Sequence, residues 1–302
     1  MYTESIEMVE VAPRDGLQNE KSLISTADKI ALVERAIAAG ARRIEVTSFV
    51  NPKAVPQMAD AEAVCEGLPS RDDVTYIGLV MNARGAARAL ATGRIDQLGA
   101  VSVATDTFAM ANQGQTSDGS VEAAKEIIAM AREAGKTGQV TIAASFGCPF
   151  EGEVAQERVV AMAVALAEAG PVEIGLADTI GVGNPAHVTA LVGKVRAAVP
   201  HISVRVHFHN TRGTGLANVW AAVLSGAATV DAAIGGLGGC PFAPGAAGNV
   251  STEDVVYMLE RAGVRTGLDL SALVAANHWL GEVMQRSLPG MVAKALSFPK
   301  QA

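Results

Sequence analysis

Eight times along the chain, a short run rich in β-branched residues is followed by a longer alanine-rich segment with helical spacing. The strand candidates are Glu7–Val11, Ile44–Thr47, Val74–Val80, Gln97–Val103, Val140–Ala144, Val172–Leu176, Val204–Phe208 and Val230–Ile234. Each is short enough to be buried on both faces, as the strands of a parallel sheet are. The segments between them read as helices. After the first strand Thr26 can cap a helix that carries Ile30, Val33 and Ile37 on one face and ends at Gly40. After the sixth, Asn184 is the expected N-cap, Pro185 takes the first helical position, and Val188, Leu191, Val192 and Val195 follow at helical spacing. Eight units of roughly 30 residues with no polar linker favour an α/β (β/α)8 TIM barrel over an open doubly wound sheet. Residues 1–263 are thus expected to form the barrel. Residues 264–302 carry Leu273, Leu280 and Met284 in a helical pattern before a break at Pro289–Gly290, and are expected to form a short C-terminal helical extension packed on it.

Composition narrows the partners. Of 302 residues, 24 are Lys or Arg and 31 are Asp or Glu, a net charge of −7. With no basic run in the sequence, a nucleic-acid or anionic-membrane surface is not expected, and a small molecule is. Hydrophobic residues make up 49% and charged residues 18%, enough for a large core. Cys65, Cys148 and Cys240 are odd in number and far apart, which fits a reducing, cytoplasmic setting. The opening residues do not read as a secretory leader. The longest apolar stretch, Val159 to Ala167, is well short of the ~18 residues of a membrane span. The C-terminal extension suggests a contact in a homo-oligomer.

In a barrel, functional groups collect at the C-terminal ends of the strands, so position is a filter. The strongest signal is V-H-F-H at 206–209, because residues i and i+2 of a strand share a face. His207 and His209 would both face the axis, where two imidazoles can hold a divalent metal. Asp15, just past the first strand, and Asn249, after the eighth, can add oxygen ligands. This donor set suits Mg²⁺ or Mn²⁺ better than a structural zinc. Arg14 would place a cation beside the metal for a developing oxyanion. Glu45 and Asp178 end the second and sixth strands and are expected at the same mouth. The loop G-G-L-G-G-C-P-F-A-P-G-A-A-G-N sets Cys240, a thiol able to exchange a proton, in a glycine-rich lid. Cys148 and Cys65 read as structural. G-V-G-N-P-A at 181–186 imitates a dinucleotide fingerprint, but the acidic residue expected about 20 positions later is missing, and Asn184-Pro185 is explained by helix capping.

Together V-A-P-R-D-G-L-Q-N-E at 11–20, E-V-T-S-F-V-N-P-K-A-V-P-Q-M-A-D at 45–60 and G-G-L-G-G-C-P-F-A-P-G-A-A-G-N at 235–249 resemble the 3-hydroxy-3-methylglutaryl-CoA lyase family. G-C-P-F-E-G at 147–152, A-D-T-I-G-V-G at 177–183 and T-E-D-V-V-Y-M-L-E at 252–260 extend the resemblance from about residue 6 to about 285. It implies a metal-dependent TIM-barrel lyase that splits an acyl-CoA substrate by retro-Claisen cleavage, most directly 3-hydroxy-3-methylglutaryl-CoA to acetyl-CoA and acetoacetate. It also implies Asp15, His207, His209 and Asn249 as ligands of Mg²⁺ or Mn²⁺. Arg14 would face the thioester carbonyl, with Gln18 and Asn112 also on the substrate. His207 would be the base, with Asp178 the alternative; Glu45 matches a family active-site carboxylate, and Cys240 would be the lid acid. The chain departs from the family pattern at Asn210, where Asp is usual, at T-D-T-F-A-M-A-N (105–112), which lacks the family's basic residues, and at Leu79-Val-Met-Asn82. The Asn210 change is expected to remove a negative charge next to the metal ligands. The departures keep citramalyl-CoA, cleaved to acetyl-CoA and pyruvate, as the alternative substrate.

Overall fold

The computed structural model describes residues 3–239, 248–296 and 298. Eight parallel strands close into a barrel in sequence order: β1 (Glu7–Glu10), β2 (Arg43–Ser48), β3 (Thr75–Val80), β4 (Gln97–Val103), β5 (Thr137–Ala143), β6 (Glu173–Asp178), β7 (Ser203–Phe208) and β8 (Thr229–Ala232). Closure is made by β1 pairing with β8 from Glu7↔Thr229 to Glu10↔Ala232. The expected strands fall within a few residues of these bounds, and helices occupy the outer ring.

The caps differ in one detail. Ser25, not Thr26, caps the helix Thr26–Ala38, its hydroxyl accepting from the amide of Asp28; Thr26 instead donates to Asp60. Gly40 follows at φ +101°, where an added Cβ would stand 2.6 Å from the Gly267 carbonyl oxygen, so this turn requires glycine. Asn184 caps Pro185–Ala198 as expected. The helix Leu270–Val283 buries Leu273 and Leu280. It docks on the first helix, with the Arg35 guanidinium 4.4 Å from the Trp279 ring.

The barrel interior is not the branched aliphatic packing usual for this fold. Its lower layers are ionic. Arg43 on β2 donates to Glu7 at 2.7 Å, to Glu173 on β6 at 2.6 Å, and to Gln97 and Gln139 at 2.9 Å. Arg205 on β7 lies 3.0 Å from the same Glu173, donates to Thr141 at 2.7 Å and pairs with Asp231 on β8. Every buried charge here has an opposite charge beside it, the condition on which such groups are tolerated. The aliphatic core lies instead between strands and helices, in residues such as Ile44, Leu98, Ile142, Leu176 and Val206.

Candidate active site

After β1 the backbone makes one wide helical turn, Ala12–Gly16, in which Arg14, Asp15 and Gly16 all direct their amides at the Val11 carbonyl. Glu10 fixes its start by accepting from the amide of Ala12 at 2.8 Å and from that of Ile234, past β8, at 2.9 Å. The turn sends Arg14 and Asp15, neighbours in sequence, toward the barrel axis. Glu45 meets Arg14 there. Alternation from Arg43 puts Glu45 on the inner face of β2, and the register shifts only after it, between Glu45 and Thr47. Its carboxylate takes Nε and Nη2 of Arg14, each at 2.8 Å, and Asp15 Oδ1 takes Nη1 at 2.6 Å. The forked pair fixes the guanidinium plane in a way a lysine could not.

His207 and His209 share the inner face of β7 and its continuation, their ring centroids 5.3 Å apart. The Nε2 atoms lie 3.8 Å and 3.9 Å from Asp15 Oδ2. Those gaps are too long for hydrogen bonds. Two ligands each about 2.1 Å from one ion stand no more than about 4.2 Å apart, so both gaps admit a shared cation. Asp15, His207 and His209 thus form a group that could hold a metal ion. Burial works against the Asp15 charge, but Arg14, the two histidines and the Asn249 amide outweigh it and hold the carboxyl far below its ordinary range. Burial and the neighbouring His207 push His209 down to about 4, so its ring is neutral, the form that ligates. Burial also opposes charge on His207, but its bond to Asp231 and the nearby Asp15 carry it upward.

Asn249 is placed against this group by a bridge pairing with His209. Its amide nitrogen donates to Asp15 Oδ2 at 2.7 Å and to the Leu237 carbonyl at 2.9 Å. The His207 Nδ1 partner is Asp231, 3.1 Å away. Sequence reasoning missed both Asp231 and Arg205. The available signal was the alternation R-V-H-F-H, which puts Arg205 on the same face as the two histidines.

A cavity opens above the ionic layer. Arg14, Asp15, Gln18, Glu45 and Asn112 line it with both histidines, and Leu79, Met81 and Phe108 form an apolar wall. Through Gln18, Asn19, Met81 and Asn112 it runs into a larger groove past Phe49, Arg84 and Arg88. Asp178 is not among the lining residues. Its carboxylate accepts the amides of Val182 and Gly183, both at 2.9 Å, because alternation along β6 turns Ala177 inward and Asp178 outward. The expectation that it enters the mouth is corrected accordingly. The Asn210 side chain accepts from the amide of Gly215 at 3.0 Å and secures the start of the helix Gly215–Leu224. Cys240 lies outside the described residues; Gly239, which precedes it, lines the cavity and accepts from Asn19 at 2.7 Å. Cys65 is buried, its thiol pushed up to about 12 by burial, and Cys148 is buried as an acceptor for the Thr105 hydroxyl. Both accord with structural roles. Among the described residues no helix is long and apolar enough to cross a membrane.

Comparison with known proteins identifies the family and the fold. Residues 5–279 match the family model described as HMGL-like. The chain is 43% identical to an (R)-citramalyl-CoA lyase of Chloroflexus aurantiacus, covering 97% of this chain and 95% of that protein. It is 40% identical to a hydroxymethylglutaryl-CoA lyase of Bacillus subtilis, covering 95% and 96%. An HMG-CoA lyase of Acinetobacter baumannii, solved in complex with coenzyme A and 3-methylmalate, superposes with a TM-score of 0.93 at 40% identity over 99% of this chain and 97% of that one.

Proposed function

The chain belongs to the HMGL-like family, and from that premise we propose that it is a divalent-metal-dependent carbon–carbon lyase cleaving 3-hydroxy-3-methylglutaryl-CoA to acetyl-CoA and acetoacetate. The observation that carries this is the placement of Arg14, forked onto Glu45, directly beside the Asp15, His207 and His209 group at the mouth of a closed barrel. The donor set of one carboxylate and two imidazoles fits Mg²⁺ or Mn²⁺, with Asn249 as the further ligand. Bound there, the ion supplies a Lewis acid that lowers the pKa of the substrate's tertiary hydroxyl.

The protein's residues supply the rest. His207 takes the hydroxyl proton. Nδ1 is engaged by Asp231, so the proton goes to Nε2, whose one lone pair is then no longer available to the ion; Asp15, His209 and Asn249 would hold the ion through this step. As the hydroxyl oxygen becomes a ketone, the bond between the carbinol carbon and the carbon α to the thioester breaks. Its electron pair passes into the thioester as an enolate, whose oxygen Arg14 stabilises. Cys240 then protonates the enolate carbon, giving acetyl-CoA. On this reading the acyl group gives way to the CoA arm near Gln18 and Asn112, shared by the cavity and the larger groove, and Arg84 supplies charge for its phosphates, Arg88 being already paired with Glu62. We read the protein as cytoplasmic and homo-oligomeric; exposed Met291 and Leu296 in the C-terminal segment support a contact there.

A second reading, citramalyl-CoA lyase, is favoured by the 43% identity to the Chloroflexus enzyme. The test offers both thioesters in parallel with Mg²⁺ or Mn²⁺ and follows acetoacetate, pyruvate and acetyl-CoA. Acetoacetate is the expected product. Pyruvate from citramalyl-CoA alone would establish the second reading, and no product from either would overturn both.

A further inference from the structure

We propose that Arg205 is a positioning residue which, through Asp231, holds His207 as the tautomer protonated on Nδ1 and so keeps the bare Nε2 aimed at Asp15. One oxygen makes the link. Asp231 Oδ2 pairs with Nη1 of Arg205 and also lies 3.1 Å from His207 Nδ1. A carboxylate oxygen can only accept, so the ring nitrogen facing it must carry the hydrogen. The other ring nitrogen is then left with its lone pair, 3.8 Å from Asp15 Oδ2.

Asp231 alone would not fix the ring. Its second oxygen, Oδ1, is buried without a hydrogen-bond partner, so its orientation depends on what Oδ2 meets. Arg205 supplies the constraint because it is itself immobilised. Nη2 donates to Thr141 on β5 at 2.7 Å, and Glu173 on β6 lies 3.0 Å from Nε. The absence of a side chain at Gly175 makes room: an added Cβ there would stand 2.9 Å from Nη2 and 3.2 Å from Cζ. Strands β5, β6 and β8 thus converge on a guanidinium two residues below His207 on β7. The barrel's ionic interior ends at the site and sets one ring there.

The relay itself rests on contacts within the protein; its value to the reaction rests on the function proposed above. The test is therefore made first without metal. In ¹⁵N-histidine-labelled, metal-free protein, at a pH where the ring is neutral, nitrogen shifts report which nitrogen of His207 carries hydrogen. The wild type is expected to show Nδ1–H alone. Arg205→Lys and the milder Thr141→Val should give a mixture of tautomers, whereas Arg43→Lys, which perturbs the same ladder away from Asp231, should leave Nδ1–H intact. Parallel Mn²⁺ titrations should show affinity weakened about 10- to 100-fold in Arg205→Lys and unchanged in Arg43→Lys. An Nε2–H wild type, or a tautomer indifferent to Arg205→Lys and Thr141→Val, would overturn the proposal. A lost preference with unchanged Mn²⁺ affinity would uphold the relay and refute His207 as a metal ligand.

Discussion

Replacing Glu10 by glutamine should change how stability depends on pH while leaving the fold in place. Glu10 is buried at the β1–β8 seam, accepts two backbone amides through Oε1, and takes the Thr252 hydroxyl on Oε2 at 2.7 Å. Burial, opposed by these three bonds, lifts its pKa from 4.5 to about 7. Between those values the folded protein keeps a proton that the unfolded chain releases. Its contribution to stability is therefore fully present below pH 4.5 and lost as pH rises through 7. At 1.36 kcal/mol per pH unit the loss is about 3 kcal/mol, or roughly 6 °C in Tm for a chain this size. Glutamine can accept both amides on Oε1 and donate to Thr252, so E10Q should match the wild type near pH 4.5 and exceed it by about 3 kcal/mol at pH 8. His209, held to about 4, works in the opposite direction, since the unfolded chain gains a proton below its ordinary pKa. The readout is therefore the difference between the two urea-unfolding curves across pH 4.5 to 8, taken on metal-free protein, where the His209 effect cancels. A flat difference would refute the reasoning.

Three further outcomes follow from named contacts. His209→Ala should abolish Mn²⁺ binding in titration, whereas Cys240→Ala should bind Mn²⁺ normally and lose turnover; equal metal loss in both would mean the cysteine is misassigned. Arg14→Lys keeps a charge but loses the fork to Glu45, and should lower kcat at least about 100-fold with Mn²⁺ affinity within a few-fold of wild type; an unchanged kcat would remove Arg14 from the chemistry. Gly175→Ala puts a Cβ 2.9 Å from the Arg205 guanidinium and should cost about 1–3 kcal/mol in chemical denaturation; a neutral result would mean the ladder adjusts freely.

The barrel was legible because its strands are short, β-branched and regularly spaced, and because parallel order follows from the helices between them. The histidine pair was legible for the same reason: alternation along one strand fixes which residues share a face. Asp178 shows where this fails. At the end of a strand a shift of one residue reverses the side chain, and Ala177 rather than Asp178 faces the cavity. The local role of Asn210 was not legible in the sequence. The amide of Gly215 at the start of the next helix offers a local partner, and a short polar side chain takes it in preference to a more distant site. The ionic ladder was hidden because Glu7, Arg43, Glu173, Arg205 and Asp231 sit on five elements far apart in sequence. Each alone reads as an isolated charge in or beside a strand.

The same geometry bears on the choice between the two proposed substrates. They share the tertiary methyl carbinol and the thioester and differ by one methylene, so the groups that perform the chemistry are common to both. Discrimination must arise where the acyl group touches the wall formed by Leu79, Met81 and Phe108, or the floor formed by Gln139, Thr141 and Arg205. In an apolar pocket one methylene is worth about 1–3 kcal/mol, or roughly 10- to 200-fold in kcat/KM. A polar floor can discriminate more strongly, because a misplaced acceptor leaves buried donors unpaired. Residues 79–81 and 108 fall within the segments where the sequence departs from the family pattern, whereas the metal group and Arg14 match it. A kcat/KM ratio near 100 that collapses on replacing Leu79 or Met81 would locate selectivity in the wall. A much larger ratio, insensitive to those changes, would locate it in the floor.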